Sequence, residues 1–412
     1  MYNYIPLEQA ADILDSYRKP VNSKERLNLI KGKPLDELFP YYGATGQVGW
    51  IDSFLTDGEY ILLGEDGAPF LNPYAEKAYI IYGKTWVNNH AHILRSKTNN
   101  EFLCYYLNYF NYKNYVSGTT RLKLTQAQMR KIPIPNIPSD EQSRIVARIE
   151  ELFSKLDKAV DTLKTTKEQL EVYRQAILQQ AFIGNSNYHK RKSSIPKAEF
   201  KPVDAKELVQ LASLPQEWKY VYLSDLGNLS RGKSSHRPRN DPKLFENGVY
   251  PFFQTGDVKG AQKDLYNCEK KYNDVGLAQS KLWPAGTLCI TIAANIAETC
   301  FLGVDGCFPD SIVGFIPNDN LVLKEYIRFF IEASKLKLWA YAPATAQKNI
   351  NLSTLENLIV PYCGIEEQQY IVQKIEEIDS VCNKLEQTID IALAQADAMR
   401  QSILKQAFEG KL

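Results

Sequence analysis

The sequence has no cysteines spaced to hold a metal or to build a disulfide framework. Its seven cysteines (104, 268, 289, 300, 307, 363 and 382) are odd in number and never form a C-x-x-C pair. Reduced thiols are therefore expected, not a cross-linked secreted scaffold. Histidine is equally scarce, with only His90, His92, His189 and His236. His90-x-His92 alone does not make a zinc site, so no metal is expected. The opening MYNYIPLEQAADILDSYRKP lacks a basic end followed by an apolar run, so no signal peptide is expected. No stretch reaches the roughly 18 apolar residues of a membrane span, and a cytoplasmic protein with no membrane partner is expected. An excess of either charge is missing too. With 49 basic and 48 acidic residues, the net charge is +1, and affinity for a polyanion must come from local patches.

Catalytic signatures are also thin. Asn72-Pro73-Tyr74 falls one proline short of the adenine-methyltransferase motif. No G-x-G-x-x-G, nucleophile elbow or recognisable pair of nuclease carboxylates occurs, and Glu65-Asp66 reads as part of a glycine-rich turn. Gly227 to Ser234 does satisfy G-x-x-x-x-G-K-[ST] letter for letter. A phosphate-binding loop needs a helix to follow it, because the helix N-terminus holds the phosphates. Here Pro238 and Pro242 follow instead, and two prolines four apart do not begin a regular helix. No catalytic residue is expected, and the chain is not expected to be an enzyme.

What the sequence does contain is one long helical pattern written twice. The first copy runs from Ser139 to Phe182 and the second from Ile365 to Phe408. Glu141 and Glu367, Ile149 and Ile375, and Phe182 and Phe408 all stand 226 residues apart, in a gapless register. A period this long means two whole modules. Apolar residues recur every seven positions: Ile149, Leu156, Leu163, Leu170 and Ile177 in the first copy. In the second, Ile371, Ile378, Leu385, Ala392 and Met399 form one line, and Ile375, Cys382, Ile389, Ala396 and Ile403 form another. That spacing turns one helix face toward a partner. Each helix could pack on its own block, or the two could pair. Exposed heptads in both copies favour pairing, and the shortest chain path makes the pair antiparallel. About 43 residues at 1.5 Å each give a spacer of roughly 64 Å, close to two turns of B-DNA at about 34–36 Å per turn. Antiparallel pairing of like units implies a pseudo-twofold axis, with a head at each end of the rod.

The expected organisation is a block over 1–138, a helix over 139–184, a linker over 185–214, a second block over 215–362 and a helix over 363–412. In the first block, Gly58 to Leu63 and Tyr79 to Tyr82 read as strands, and Asn100 to Asn111 as a helix. Gly43 to Gly46, Glu65 to Pro69 and Trp86 to His90 read as turns. The second block follows the same outline, with a strand at Gly286 to Ile290 and a helix at Glu325 to Phe330, but the middles of the blocks diverge. His189-Lys190-Arg191-Lys192 lies in the linker, as a solvated tract or a nucleic-acid contact.

Matching loops of the two blocks are cationic or polar. In the second block Arg231, Lys233, Ser234, His236, Arg237 and Arg239 crowd one loop, and Gln254, Thr255, Asn295, Gln347, Lys348 and Asn349 add polar groups. In the first block the candidates are Arg18, Lys19, Tyr41, Tyr42, Thr45, Gln47, His90, Thr120, Arg121 and Lys123. Arg and Lys bind phosphate oxygens, Arg can grip guanine bidentately, and Asn or Gln can grip adenine. Singly, each is an ordinary surface residue; clustered in matching loops, they point to DNA.

Taken together, the pattern resembles the specificity (S) subunits of type I restriction-modification enzymes. The likeness is carried by Ile132-Pro133-Ile134-Pro135…Glu141-Gln142…Ile149-Glu150 and by its second copy Leu358-Ile359-Val360-Pro361…Glu367-Gln368…Ile375-Glu376. Tyr41 to Gly46, Gly64 to Gly67 and the Leu214-Pro215-Gln216-Glu217-Trp218 opening also look like the family's. The first block departs from it by lacking a Pro-x-x-Trp phrase. The resemblance implies an α+β chain of two similar target-recognition domains, separated by two long antiparallel helices that form a pseudo-twofold coiled coil. Each domain would read one half of a bipartite, asymmetric double-stranded DNA target, and the helices would set the unread spacer. Two modification subunits carrying S-adenosylmethionine would methylate adenine, and two restriction subunits using ATP and Mg2+ would translocate and cleave. This chain would bind no cofactor itself. The alternative is a coiled-coil adaptor without DNA specificity.

Overall fold

The two 44-residue helices begin and end where the repeat places them, at Ser139–Phe182 and Ile365–Phe408. Pro138 and Gly364 precede them, and neither contains an internal glycine or proline. Asp140 and Glu141 open the first and Glu366 and Glu367 the second, where carboxylates meet the positive end of the helix dipole. The computed structural model describes residues 2–182, 198–340 and 349–412. These form two compact units, one of Met1–Thr166 with Gln387–Leu412 and one of Lys167–Glu386. Each unit thus takes part of both long helices.

The first unit contains a four-stranded sheet in the order Ala11–Ile13, Ala91–Ser96, Tyr60–Gly64, Ala78–Ile81. A second four-stranded sheet runs Gly46–Ile51, Phe39–Gly43, Lys84–Val87, Thr56–Asp57. Trp86 and Val87, read from sequence as a turn, lie in that second sheet and are buried. Their aromatic and β-branched side chains pack, and the turn begins only at Asn88. The second unit has a five-stranded sheet in the order Gly227–Arg231, Ile312–Pro317, Leu288–Thr291, Thr299–Leu302, Asp264–Leu265. The middles of the blocks therefore differ in sheet plan. Their frames agree: Tyr4–Pro6 pairs with Pro133–Pro135, and Lys219–Tyr222 with Ile359–Tyr362, both antiparallel.

The helix ends are exchanged. In the first unit Phe408 of the second long helix enters the core beside the helix Asn100–Tyr109, with ring centroids 5.4 Å from Phe102 and 5.2 Å from Tyr106. In the second unit Phe182 of the first long helix does the same against Lys324–Ala333, 5.0 Å from Tyr326 and 5.3 Å from Phe330. Phe182 and Phe408 are the 226-residue equivalents read from sequence. Polar contacts repeat as well. Arg400 pairs with Asp157 inside the first unit, and Arg174 donates to Asn383 at 2.7 Å inside the second. These residues are again 226 apart. Within the second unit Lys167 lies 3.6 Å from Glu386, so the partner number rises as the helix number falls. The paired segments run antiparallel.

The heptad lines fare differently. Ile149 is buried, and Leu156, Leu163, Leu170 and Ile177 are half-buried. In the second helix the line Ile375, Cys382, Ile389, Ala396, Ile403 is buried throughout. Its neighbour starts buried at Ile371 and half-buried at Ile378, but Leu385 is 49% and Met399 54% exposed. Those two positions do not form the helix seam. A two-helix contact covers one row of knobs and leaves the flank in water.

Candidate nucleic-acid interface

In the first unit every residue of strand Tyr60–Gly64 is buried, and the strand delivers the turn Glu65-Asp66-Gly67 to the sheet's end. A hairpin docks on that turn. Ser117 and Lys123 exchange backbone hydrogen bonds of 3.0 and 2.8 Å, and the Gly67 and Leu124 N–H groups donate to Leu122 O and Glu65 O at 3.0 and 2.8 Å. Gly118 closes the hairpin at φ +102°, where a Cβ would stand 2.4 Å from Arg121 O; only glycine fits. Hairpin and turn form one side of a cleft of about 630 Å³, whose lining includes Thr45, Asp66, His90, Thr120 and Arg121. Four of the sequence candidates thus meet in one place.

Beneath the cleft lies a charged network that the sequence did not reveal. Asp15 Oδ2 is 2.7 Å from His92 Nδ1, and His92 Nε2 is 3.0 Å from Leu124 O, with the imidazole wholly buried. The Gln126 amide donates to the same carboxylate at 2.8 Å, and Arg18 bridges Asp15 and Glu65. Burial alone would raise the Asp15 carboxyl, but the hydrogen bond and charge of His92 outweigh it and hold the group below its usual range. Glu65 is likewise lowered: burial opposes ionisation, and hydrogen bonding from Arg18 with the charges of His92 and Arg18 overcomes it. These bonds tie the segment around Asp15, the turn at Glu65 and the hairpin's end at Leu124 into one floor.

Other candidates of this unit serve the scaffold. Arg18 is committed to that floor, with further bonding to Ala91 O at 3.2 Å. Tyr41 is 4% exposed, lies beneath the Arg26 guanidinium and shares its hydroxyl with the Val21 backbone. It is a core residue, not a ligand contact. Tyr42 is half-buried against Tyr79. Lys19 and Gln47 are exposed, and Lys123 reaches Glu65 at 3.4 Å.

In the second unit the phosphate-loop lookalike is a β-strand. Gly227–Arg231 pairs antiparallel with Val313 to Pro317, and Gly232 is wedged where a Cβ would stand 2.3 Å from Phe308 O. The Ser234 hydroxyl is buried at 3.3 Å from Tyr272 OH, and bends lead into a short turn of 3-10 helix at Pro242–Leu244. Among the described residues the next helix after the strand is that 3-10 turn. Arg231 and Lys233 are exposed. Arg237 is spent on the carbonyls of Ser234 and His236, both at 2.8 Å. Arg239 grips Asp310 at 2.8 and 3.1 Å, and His236 sits 3.0 Å from Asp241. Gln254 and Thr255 open the helix Thr255–Gly260, which Asp257 caps by accepting from Gln254 N at 2.7 Å. Asn349 bridges to Ala293, beside Asn295. Gln347 and Lys348, and the tract His189 to Lys192, lie outside the described residues. Among the described residues no group of three metal-ligating side chains occurs, and no helix is long and apolar enough to cross a membrane.

Of the missed residues, His92 lies in the strand Ala91–Ser96 and is wholly buried, whereas His90 stands in the turn before it beside Asp66. Asp15 and Gln126, 111 positions apart, had no signal in the sequence.

The family described as the type I restriction modification DNA specificity domain matches residues 9–172 and again 215–395. A Haemophilus influenzae protein named as a candidate type I restriction enzyme specificity subunit is 26% identical over 95% of this chain and 91% of its own. A solved chain from work on complex assembly and conformational transition of the type I R-M system has a TM-score of 0.70 at 18% identity, over 100% of this chain and 98% of that one. The HsdS subunit of Thermoanaerobacter tengcongensis gives 0.55 at 18%, over 100% and 97%. The two structural likenesses carry the fold.

Proposed function

From the premise that this chain belongs to the type I restriction-modification DNA specificity family, which matches it in both halves, we propose that it is the DNA-recognition subunit of such a complex. Each unit reads one half of a bipartite target in double-stranded DNA. The paired helices set the unread spacer and dock two modification subunits, and two restriction subunits complete the assembly. Adenine methylation with S-adenosylmethionine, and translocation and cleavage with ATP and Mg2+, belong to those partners; this chain supplies no reacting group. The observation that carries the reading is the doubled family match, and the polar cleft of the first unit supports it.

The helical spacer has a direct test. Inserting one heptad into Ser139–Phe182 should change the number of unread base pairs in the methylated motif and leave both half-sites as they were. An unchanged motif would refute the ruler. Binding of the assembled complex to duplex DNA should also weaken steeply with salt, as phosphate contacts release counterions; salt-independent binding would favour the adaptor.

A further inference from the structure

Of the candidate arginines, Arg121 is the one that lines the cleft of the first unit. Arg18 bridges Asp15 and Glu65, Arg237 donates through Nη1 to two carbonyls of its own loop, Arg239 grips Asp310 through Nη2, and Arg231 is exposed outside the cleft. Arg121 is ion-paired with Asp66, its Nε 2.7 Å from Oδ1, and its side chain stays 60% exposed at the cleft. Among the described residues its two Nη groups make no hydrogen bond. The turn is shaped around it: Gly67 has φ +79°, and a Cβ there would stand 3.1 Å from Arg121 Nε. Asp66 itself is fixed, because both of its backbone neighbours are hydrogen-bonded to the hairpin that carries Arg121. His90 Nδ1 lies 3.6 Å from the other oxygen of the same carboxylate.

A guanidinium held at Nε by a rigid carboxylate cannot rotate freely, and it offers a planar pair of N–H donors in a set direction. That fork matches the O6 and N7 acceptors of guanine in the major groove. The same fork also matches a phosphate, and the salt dependence of binding separates the two. Building on the DNA-recognition reading above, we propose that Arg121 reads a guanine in the half-site of the first unit, and that Asp66 and Gly67 are the residues that position it.

The test uses the assembled methyltransferase complex in a host without other adenine methylation, with genome-wide mapping of methylated adenines. The wild type defines the bipartite motif, and Arg121→Lys, Asp66→Ala and Asp66→Asn are compared with it. Arg121→Lys keeps the charge and loses the fork, so preference for one G·C pair in one half-site should fall roughly 10–100-fold, with the other half-site unchanged. Asp66→Ala should relax the same position. Asp66→Asn, whose amide oxygen can still accept from Nε, should retain more of the preference. The proposal is overturned if Arg121→Lys leaves the motif intact, or if the relaxed position is not a guanine. It is also overturned if Arg121→Ala lowers affinity equally for all sequences and reduces the salt slope by about one, the mark of a phosphate contact. A wild type that methylates no bipartite motif would instead sink the functional reading itself, and this proposal with it.

Discussion

Replacing Phe408 by alanine should destabilise the opposite end of the sequence. Phe408 is 3% exposed and contacts the rings of Phe102, Tyr106 and Tyr109, all some 300 residues earlier. Phe→Ala in a packed core costs about 3–5 kcal/mol, a large share of a typical total stability of about 5–15 kcal/mol. At about 1.4 kcal/mol per tenfold change, a loss of about 4 kcal/mol is nearly a thousandfold rise in local opening. Hydrogen exchange of the full-length protein reads this directly. Amides of Asn100–Tyr109 should lose close to three decades of protection while those of Lys324–Ala333 keep theirs. Phe182→Ala should do the reverse, because its ring lies against Tyr326 and Phe330. If Phe408→Ala left 100–109 protected, or exposed 324–333 instead, the exchange of helix ends would be wrong.

Acid should strike the first unit through Asp15 and Glu65. Both carboxyls sit below their ordinary values of 3.8 and 4.5 in the folded state, so their stabilisation is complete above about pH 4.5 and disappears as pH falls through the lowered values. The unfolding midpoint of the first unit should therefore drop on acidification below that point, and less steeply in Asp15→Asn with Glu65→Gln; equal slopes would refute the floor's role. Nucleotide titration should show no ATP binding by the wild type or by Lys233→Ala, since Gly227–Arg231 is a paired strand. Saturable binding lost in Lys233→Ala would contradict that assignment.

Periodicity was legible without coordinates. The two long helices, their 226-residue equivalence and the existence of apolar heptad rows rest on local repeats, which any single stretch of chain displays. Cationic loops were legible as clusters, but their use was not. Arg121 and Arg237 look alike in a string, yet one is presented at a cleft and the other is bound to its own loop's carbonyls. Leu385 and Met399 look like seam residues, yet which of two adjacent rows faces the partner depends on how the helices are rotated against each other. Asp15, His92 and Gln126 meet only because separate segments converge on one sheet end. Sequence alone determined the doubled architecture, because a repeat and its heptads are short-range facts. Tertiary structure decided which charges remain available at the surface, because a side chain's availability depends on neighbours that lie far away along the chain.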